Sequence, residues 1–212
     1  MTGPQRSGGV NIYDPAQRDP SLSRRPQNRR DDAWIEALLT RAPLGRVATV
    51  YQDETGQVWP FVTPLAFAYR PDSRDLVYHT NVVGRLRANT AQGHPATFEV
   101  SEIGALLPST SPLELSVQYR SVIVFGQARV LTDPEEARAA LTTLSERVFP
   151  GLRIGQHTRP ILDSDLARTA VYALSIERWS GKENWADQAL QEEGWPPLPP
   201  ELAWPRPAEA AR

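Results

Sequence analysis

The sequence predicts a mainly β domain: six antiparallel strands closed into a small β-barrel that carries peripheral helices. Three observations predict it. Short apolar runs bounded by turn residues recur between residues 45 and 131 and return at 169–179. Helical signals are confined to three segments. No strand–helix–strand alternation occurs, which excludes a Rossmann domain.

Taken in order, Asp31 supplies an N-cap and Trp34, Ile35, Leu38 and Leu39 recur at helical spacing, so a short helix opens the domain. Gly45 to Tyr51 reads as a strand and Gln52 to Gly56 as a turn. Gln57 to Arg70 reads as one longer strand interrupted by Pro60 and Pro64. Proline cannot donate to a sheet ladder, so this strand lies at an edge or is bulged, with backbone groups left to meet a ligand. Pro71 to Arg74 forms a hairpin turn before the strand Asp75 to Thr80. Gly84 to Gln92 is a short helix, Ala96 to Ser101 a strand, and Gly104 to Pro112 a loop. Glu114 to Leu131 is a long β run. Thr132-Asp133-Pro134-Glu135 then places a cap, a first-turn proline and an acid at a helix start. The buried stripe of that helix is Ala137, Ala140, Leu141, Leu144 and Val148. Thr169 to Trp179 is the last strand.

The chain has 212 residues and a formal net charge of −2. This suits one domain with tails, and near-neutral charge argues against nucleic acid as partner. With no cysteine there is no disulfide framework or thiolate site, and a cytoplasmic setting is expected. No secretory h-region and no membrane-spanning apolar run are found. Half of the 20 prolines lie in residues 1–26 and 196–207. The expected organisation is therefore an extended, basic N-terminal arm (1–30), a barrel domain (31–185) and an acidic, Trp/Pro-rich C-terminal tail (186–212). The opposite charges of the two ends suit an arm lying along a second subunit, although two solvated tails have the same composition.

Chemistry concentrates at residues 78–89. A strand ends in Thr80 and Asn81, turns through Gly84, and starts a helix beside Arg85. Helix-start N–H groups favour an anion and a guanidinium can grip two of its oxygens, so the turn suits a phosphate. Ordinary strand–helix junctions share this pattern. His79 is one of three histidines and can exchange protons near neutral pH; a hydrogen-bonded structural histidine is the other reading. Lys182 is the single lysine beside 22 arginines, a hint that its position wants an ammonium; an ordinary surface lysine is the other reading. No metal-ligand spacing and no nucleophile elbow appear, so neither a metal site nor a catalytic triad is expected.

The order of elements around Thr80-Asn81-Val82-Val83-Gly84-Arg85 resembles the FMN-binding split barrels of the pyridoxamine 5′-phosphate oxidase superfamily. There, a Thr-Asn-x-x-Ser-Arg-Lys stretch holds the flavin phosphate. Gly84 stands where Ser is usual and Leu86 where the second cation is usual, with Arg87 as a partial replacement. Thr63-Pro64-Leu65 resembles the strand that meets the isoalloxazine edge, and the stretch around Ser121 resembles the long central strand. Trp179-Ser180-Gly181-Lys182 resembles the closing motif of the branch with the nitroimidazole-resistance (Nim) proteins. His79, Tyr13-Asp14-Pro15 and Arg24-Arg25-Pro26 fit the same branch, and the likeness spans roughly residues 11–195.

The resemblance implies a split barrel that binds FMN and forms a homodimer with two shared sites. Trp179 and Lys182 would reach the flavin from the second chain, and His79 would be the catalytic residue. It further implies a flavin-dependent reductase of small nitroaromatics, 5-nitroimidazole antibiotics among them, reduced to the amine. The alternative is a split barrel that binds flavin or haem without turnover. Pyridoxamine phosphate oxidation itself ranks below both, since its late substrate-binding pattern is not found around Arg178 to Asn184.

Overall fold

The computed structural model describes residues 19, 21–22 and 25–208. Tyr13, Asp14, Pro15 and Arg24, on which part of the resemblance rests, lie outside them. After a 3-10 turn at Pro26–Asn28 come β1 (Arg29–Arg30), α1 (Asp32–Arg41), β2 (Gly45–Gln52), β3 (Val58–Leu65), β4 (Ala68–Arg70) and β5 (Asp75–Asn81). Next are α2 (Arg85–Ala91), β6 (Pro95–Leu107), β7 (Ser116–Val130), α3 (Pro134–Val148), α4 (Asp163–Leu166), β8 (Thr169–Asn184) and β9 (Arg206–Pro207). All strands join one antiparallel sheet ordered β3-β2-β6-β7-β8-β5-β4, with β1 on β8 and β9 on β6. The class is that expected; the strand count rises because two-residue and three-residue pieces join the sheet.

The helices start where their side chains satisfy the first N–H groups. Asp31 accepts from the Trp34 N–H at 2.9 Å and Asp133 from that of Glu136 at 2.7 Å, each cap being worth ~1 kcal/mol. α1 stops at Ala42, which is extended because Pro43 follows it. Its buried Ile35, Leu38 and Leu39 join Val47, Phe98, Val122, Val124, Tyr78, Tyr172 and Leu174 in the core the sheet curves around. Phe98 lies at its centre, with its ring 4.9 Å from Phe67 and 6.0 Å from Tyr78. A second cluster forms on the outer side, where Ala137, Ala140, Leu141 and Leu144 of α3 cover Ala68, Val77, Val171 and Ala173.

β3 lies at an edge, as its prolines require, with Pro60 and Pro64 opposite Val50 and Arg46. The expected single strand 57–70 breaks at Ala66-Phe67, however. Phe67 dives into the core, and Ala68–Arg70 continues as β4 on the opposite sheet edge. β6 runs on through Gly104 to Leu107, shortening the expected loop; a Cβ at Gly104 would meet Gln118 Oε1 at 2.6 Å. β8 likewise continues past Trp179 to Asn184, because Gly181 allows Ile35 to approach to within 2.6 Å of where a Cβ would stand.

A ladder of charges crosses this far end of the sheet. Arg41 binds Glu102, Glu102 faces Arg120, Arg120 Nε donates to Glu183 at 2.7 Å, and Glu183 accepts from Arg30 Nε at 2.7 Å. The C-terminal stretch folds back on the β6–β7 hairpin: Ser109 Oγ donates to the Leu190 carbonyl at 2.6 Å, and Glu192 N–H to Thr110 Oγ1 at 2.8 Å. β9 then pairs with Ala105 and Leu106.

Candidate functional site

Strand alternation builds the site. On β5, Leu76, Tyr78 and Thr80 face the barrel interior, and Val77, His79 and Asn81 face outward. Thr80 Oγ1 lies 3.0 Å from the hydroxyl of Tyr172 directly across from Tyr78. Asn81 Oδ1 accepts from the Val83 N–H at 3.0 Å, and its carbonyl accepts from the Gly84 N–H at 3.2 Å, which closes the turn into α2. Gly84 is in an extended conformation with φ −78°, and a Cβ there would stand 3.4 Å from the Asn81 carbonyl, so the position does not demand glycine.

Two cations follow the turn. The Arg85 guanidinium stacks over the Phe61 ring, 5.0 Å from its centre. Phe61 shares the inner face of β3 with Thr63 and the buried Leu65, whereas Pro64 points outward and is exposed. Leu86 is 3% exposed within the core, so no cation can occupy its position. Arg87 lies near Tyr172: burial raises that phenol, and the Thr80 hydrogen bond and the Arg87 charge partly oppose the rise. Neither Arg85 nor Arg87 is in an ion pair among the described residues, whereas Arg30, Arg41, Arg46, Arg70 and Arg120 are each held by a carboxylate. Thr80, the Gly84 turn, Arg85 and Arg87 thus follow one another with positive charge that no carboxylate neutralises among the described residues, a donor set able to hold an oxyanion, while the outward-facing Asn81 side chain braces the turn.

His79 stands apart from that group. It faces away from Thr80, beyond Val77 on the side of α3. The residue is exposed, yet the protein crowded around its imidazole removes enough water to hold the pKa below the ordinary value.

Ser121 and Lys182 form a second group on the outer face of β7 and β8, whereas Trp179 packs against the core on the inner face. Ser121 is directly opposite Lys182, whose Nζ lies 5.6 Å from the Tyr119 ring centre and has no carboxylate partner among the described residues. Trp179 Nε1 donates to Asp32 Oδ1 at 2.8 Å, and Arg74 lies 4.6 Å over its ring. Asn81 is opposite Thr169 on β8, and Lys182 follows thirteen residues later on the same strand. That is about 40 Å of strand contour. One chain therefore keeps the Thr80 turn apart from Ser121 and Lys182, with His79 and Trp179 each on the opposite face of its own strand.

The model of the pyridoxamine 5′-phosphate oxidase family matches residues 31–183, a range that contains the Thr80 turn and most of β8. The chain belongs to this family. Among solved structures, this family member is similar to the flavocytochrome Anf3 of Azotobacter vinelandii, at 25% identity and TM-score 0.73 over 88% of this chain and 82% of that one. It is also similar to an FAD- and haem-binding protein of Mycobacterium smegmatis, at 28% identity and TM-score 0.64 over 84% and 82% of the two chains. A candidate 5-nitroimidazole antibiotic resistance protein of Bacteroides thetaiotaomicron shares the fold at 20% identity and TM-score 0.58, over 72% and 84%. Comparison with curated proteins gives no match.

Phe61 and Tyr172 were not legible as site residues. Phe61 had one available signal, its period-two relation to Thr63; Tyr172 had none, because its partner is 92 residues away. Among the described residues no group of His, Cys, Asp and Glu is arranged to hold a metal ion, and no helix is long and apolar enough to cross a membrane.

Proposed function

We propose that this family member is a flavin-dependent oxidoreductase that holds FMN by its phosphate at the Thr80–Arg87 turn. The observation that carries this reading is the pair Arg85 and Arg87, cations without a carboxylate partner among the described residues, beside Thr80 and Asn81. That donor set fits a phosphate dianion, which needs positive charge and hydroxyl or amide donors. Bound flavin supplies the electron transfer. The protein's part is to neutralise the phosphate and to set the unpaired edge of β3, around Thr63 to Leu65, toward the ring.

The proposed substrate is a small planar nitroaromatic of the 5-nitroimidazole class, reduced to the amine with electrons from a transiently docked nicotinamide. The motif set Thr80-Asn81-Arg85 with Trp179-Ser180-Gly181-Lys182 supports this substrate. A homodimer supports the site: Ser121 and Lys182 of one chain meet the flavin held by the turn of the other. Two observations favour pairing of copies. The Thr80 turn and Lys182 are far apart along β8 within one chain, and Val62 and Ala48 of β3 and β2 and Ile123 and Phe125 of β7 lie on the outer face with Thr97 and Glu99 of β6 between them, Val62 being 66% exposed.

A second reading adds haem. It is favoured by the two solved neighbours of 25% and 28% identity, each of which is named for a haem or cytochrome together with a flavin. The donor chemistry fits, since an exposed imidazole held neutral is available at His79.

The test is the visible spectrum of the purified protein, followed by FMN titration and by loss of nitro absorbance with NADPH and a 5-nitroimidazole. Bound flavin with nitro loss is expected. A protein that neither carries nor takes up flavin overturns the proposal.

A further inference from the structure

We propose that Asn89 and Thr49 are positioning residues for the phosphate: their buried hydrogen bond sets how α2 sits on β2 and β3, and thereby where the Arg85 guanidinium points. This rests on the flavin reading above. α2 has only seven residues, Arg85–Ala91, too few to hold a helix by its own hydrogen bonds. Its orientation is therefore whatever its contacts impose. Leu86 supplies the apolar contact, 3% exposed in the core. Apolar burial is non-directional, so Leu86 seats the helix without fixing its rotation.

The direction comes from polar side chains. Arg85, Asn89 and the C-cap Gln92 follow at intervals of four and three residues, which places them on one face of α2. All three grip the β2–β3 pair. Asn89 Nδ2 donates to Thr49 Oγ1 at 2.9 Å, and the two residues are 3% and 7% exposed. Thr49 is directly opposite Phe61 in the β2–β3 ladder, and Phe61 carries the Arg85 stack. The Gln92 amide takes both backbone groups of Gln52, accepting from its N–H at 2.9 Å and donating to its carbonyl at 2.7 Å.

The three contacts are unequal. The Gln92–Gln52 pair is exposed, so water competes for it, and a guanidinium on an aromatic face is weakly held outside the core. The Asn89–Thr49 bond is dry. Breaking it would strand a buried amide and a buried hydroxyl, so it admits one geometry. Asn89 lies one helical turn after Arg85, and a helix that rolls or slides at Asn89 carries the guanidinium off Phe61 and away from the Thr80 turn. Thr90 makes the contrast: it is 8% exposed, and its hydroxyl makes no hydrogen bond among the described residues, so it seats α2 as an apolar side chain does.

The test compares FMN with riboflavin, which lacks only the phosphate, by fluorescence titration of the full chain. Wild type is expected to prefer FMN. Thr49→Val keeps the side-chain shape and removes the acceptor; it is expected to lose roughly tenfold of that preference. Thr49→Ser keeps a hydroxyl and should keep the preference. Asn89→Leu should behave as Thr49→Val, and Thr90→Val as wild type. Partial unfolding lowers both affinities together, so their ratio reads the phosphate site alone. In an Arg85→Ala background Thr49→Val should remove no further preference, because both changes act on one guanidinium. An unmoved ratio in Thr49→Val, or a loss that persists undiminished in the Arg85→Ala background, overturns the proposal while the flavin reading stands. Wild type that binds FMN no better than riboflavin overturns the phosphate reading and this proposal with it.

Discussion

Arg85 holds its guanidinium 5.0 Å from the centre of the Phe61 ring, which ties the start of α2 to the edge strand β3. The stack fixes the direction of the cation without neutralising it. An aromatic face is a weak partner at a partly exposed site, so a phosphate can still claim the guanidinium. Charge-assisted hydrogen bonds of this kind contribute about 1.5–3 kcal/mol. Arg85→Ala is therefore expected to weaken FMN binding by roughly ten- to a hundredfold while leaving the unfolding midpoint nearly unchanged. Flavin fluorescence titration and urea unfolding read the two quantities; wild-type affinity in the variant would remove the phosphate from this turn.

Gly84→Ser should fold like wild type, since a Cβ has 3.4 Å to the nearest heavy atom and φ is negative. The added hydroxyl stands next to Arg85 and can donate to the same oxyanion. Tighter FMN binding is expected from the same titration.

Thr80 and Tyr172 share one hydrogen bond but are not equivalent. Tyr172 is fully buried and Thr80 only partly so. Removing the threonine hydroxyl strands the buried phenol, at about 1–3 kcal/mol, whereas Tyr172→Phe forfeits only the net value of the bond, about 0.5–1.5 kcal/mol. Thr80→Val should thus be the more destabilising variant by chemical denaturation. The reverse order would mean that water reaches the phenol.

The charge ladder predicts acid lability. For Glu183, burial alone would raise the carboxyl, but hydrogen bonds from Arg120 and Arg30 outweigh it and hold the pKa below 4.5; Arg41 does the same for Glu102, against a smaller opposing burial. A depressed carboxylate stabilises the fold above its unfolded value, and that contribution is lost as pH falls from about 5 through the folded values. The thermal midpoint should drop across this window, and Glu183→Gln should flatten the drop. A wild-type slope in Glu183→Gln would show that the ladder carries no net stability.

Gly126 marks a register shift, and a Cβ there would come within 1.8 Å of the Ser175 carbonyl. The nearest atoms, of Ser175 and Glu177, are all backbone, so Gly126→Ala should cost about 1–3 kcal/mol or more. Calorimetry of that variant against Gly84→Ser compares a crowded glycine with an uncrowded one.

Local chemistry was legible where it acts locally. Asp31 and Asp133 announced their helices, and Pro60 and Pro64 announced an edge strand. Gly104 and Gly181 misled, because a glycine admitting a neighbour's side chain looks in sequence like one that ends a strand. The departure of residues 68–70 to the other sheet edge depends on Phe67 reaching Phe98, a contact between distant residues. In the site, the Thr80 turn was legible as a unit. The opposed directions of His79 and Thr80 follow from period two once the strand is placed, while Phe61 and Tyr172 needed the closed barrel.

β8 pairs with β7 along most of its length, with β5 through its first half and with β1 near its end. It is also the last long strand of this sheet in chain order. Until Thr169–Asn184 emerges, β5 and β7 each carry an open edge, and the barrel cannot close. Folding of this domain must wait for that strand, with long-range pairings that are slow to form and aggregation-exposed while they wait. A chain truncated before β8 is thus a ready client for chaperones rather than a smaller version of the same protein.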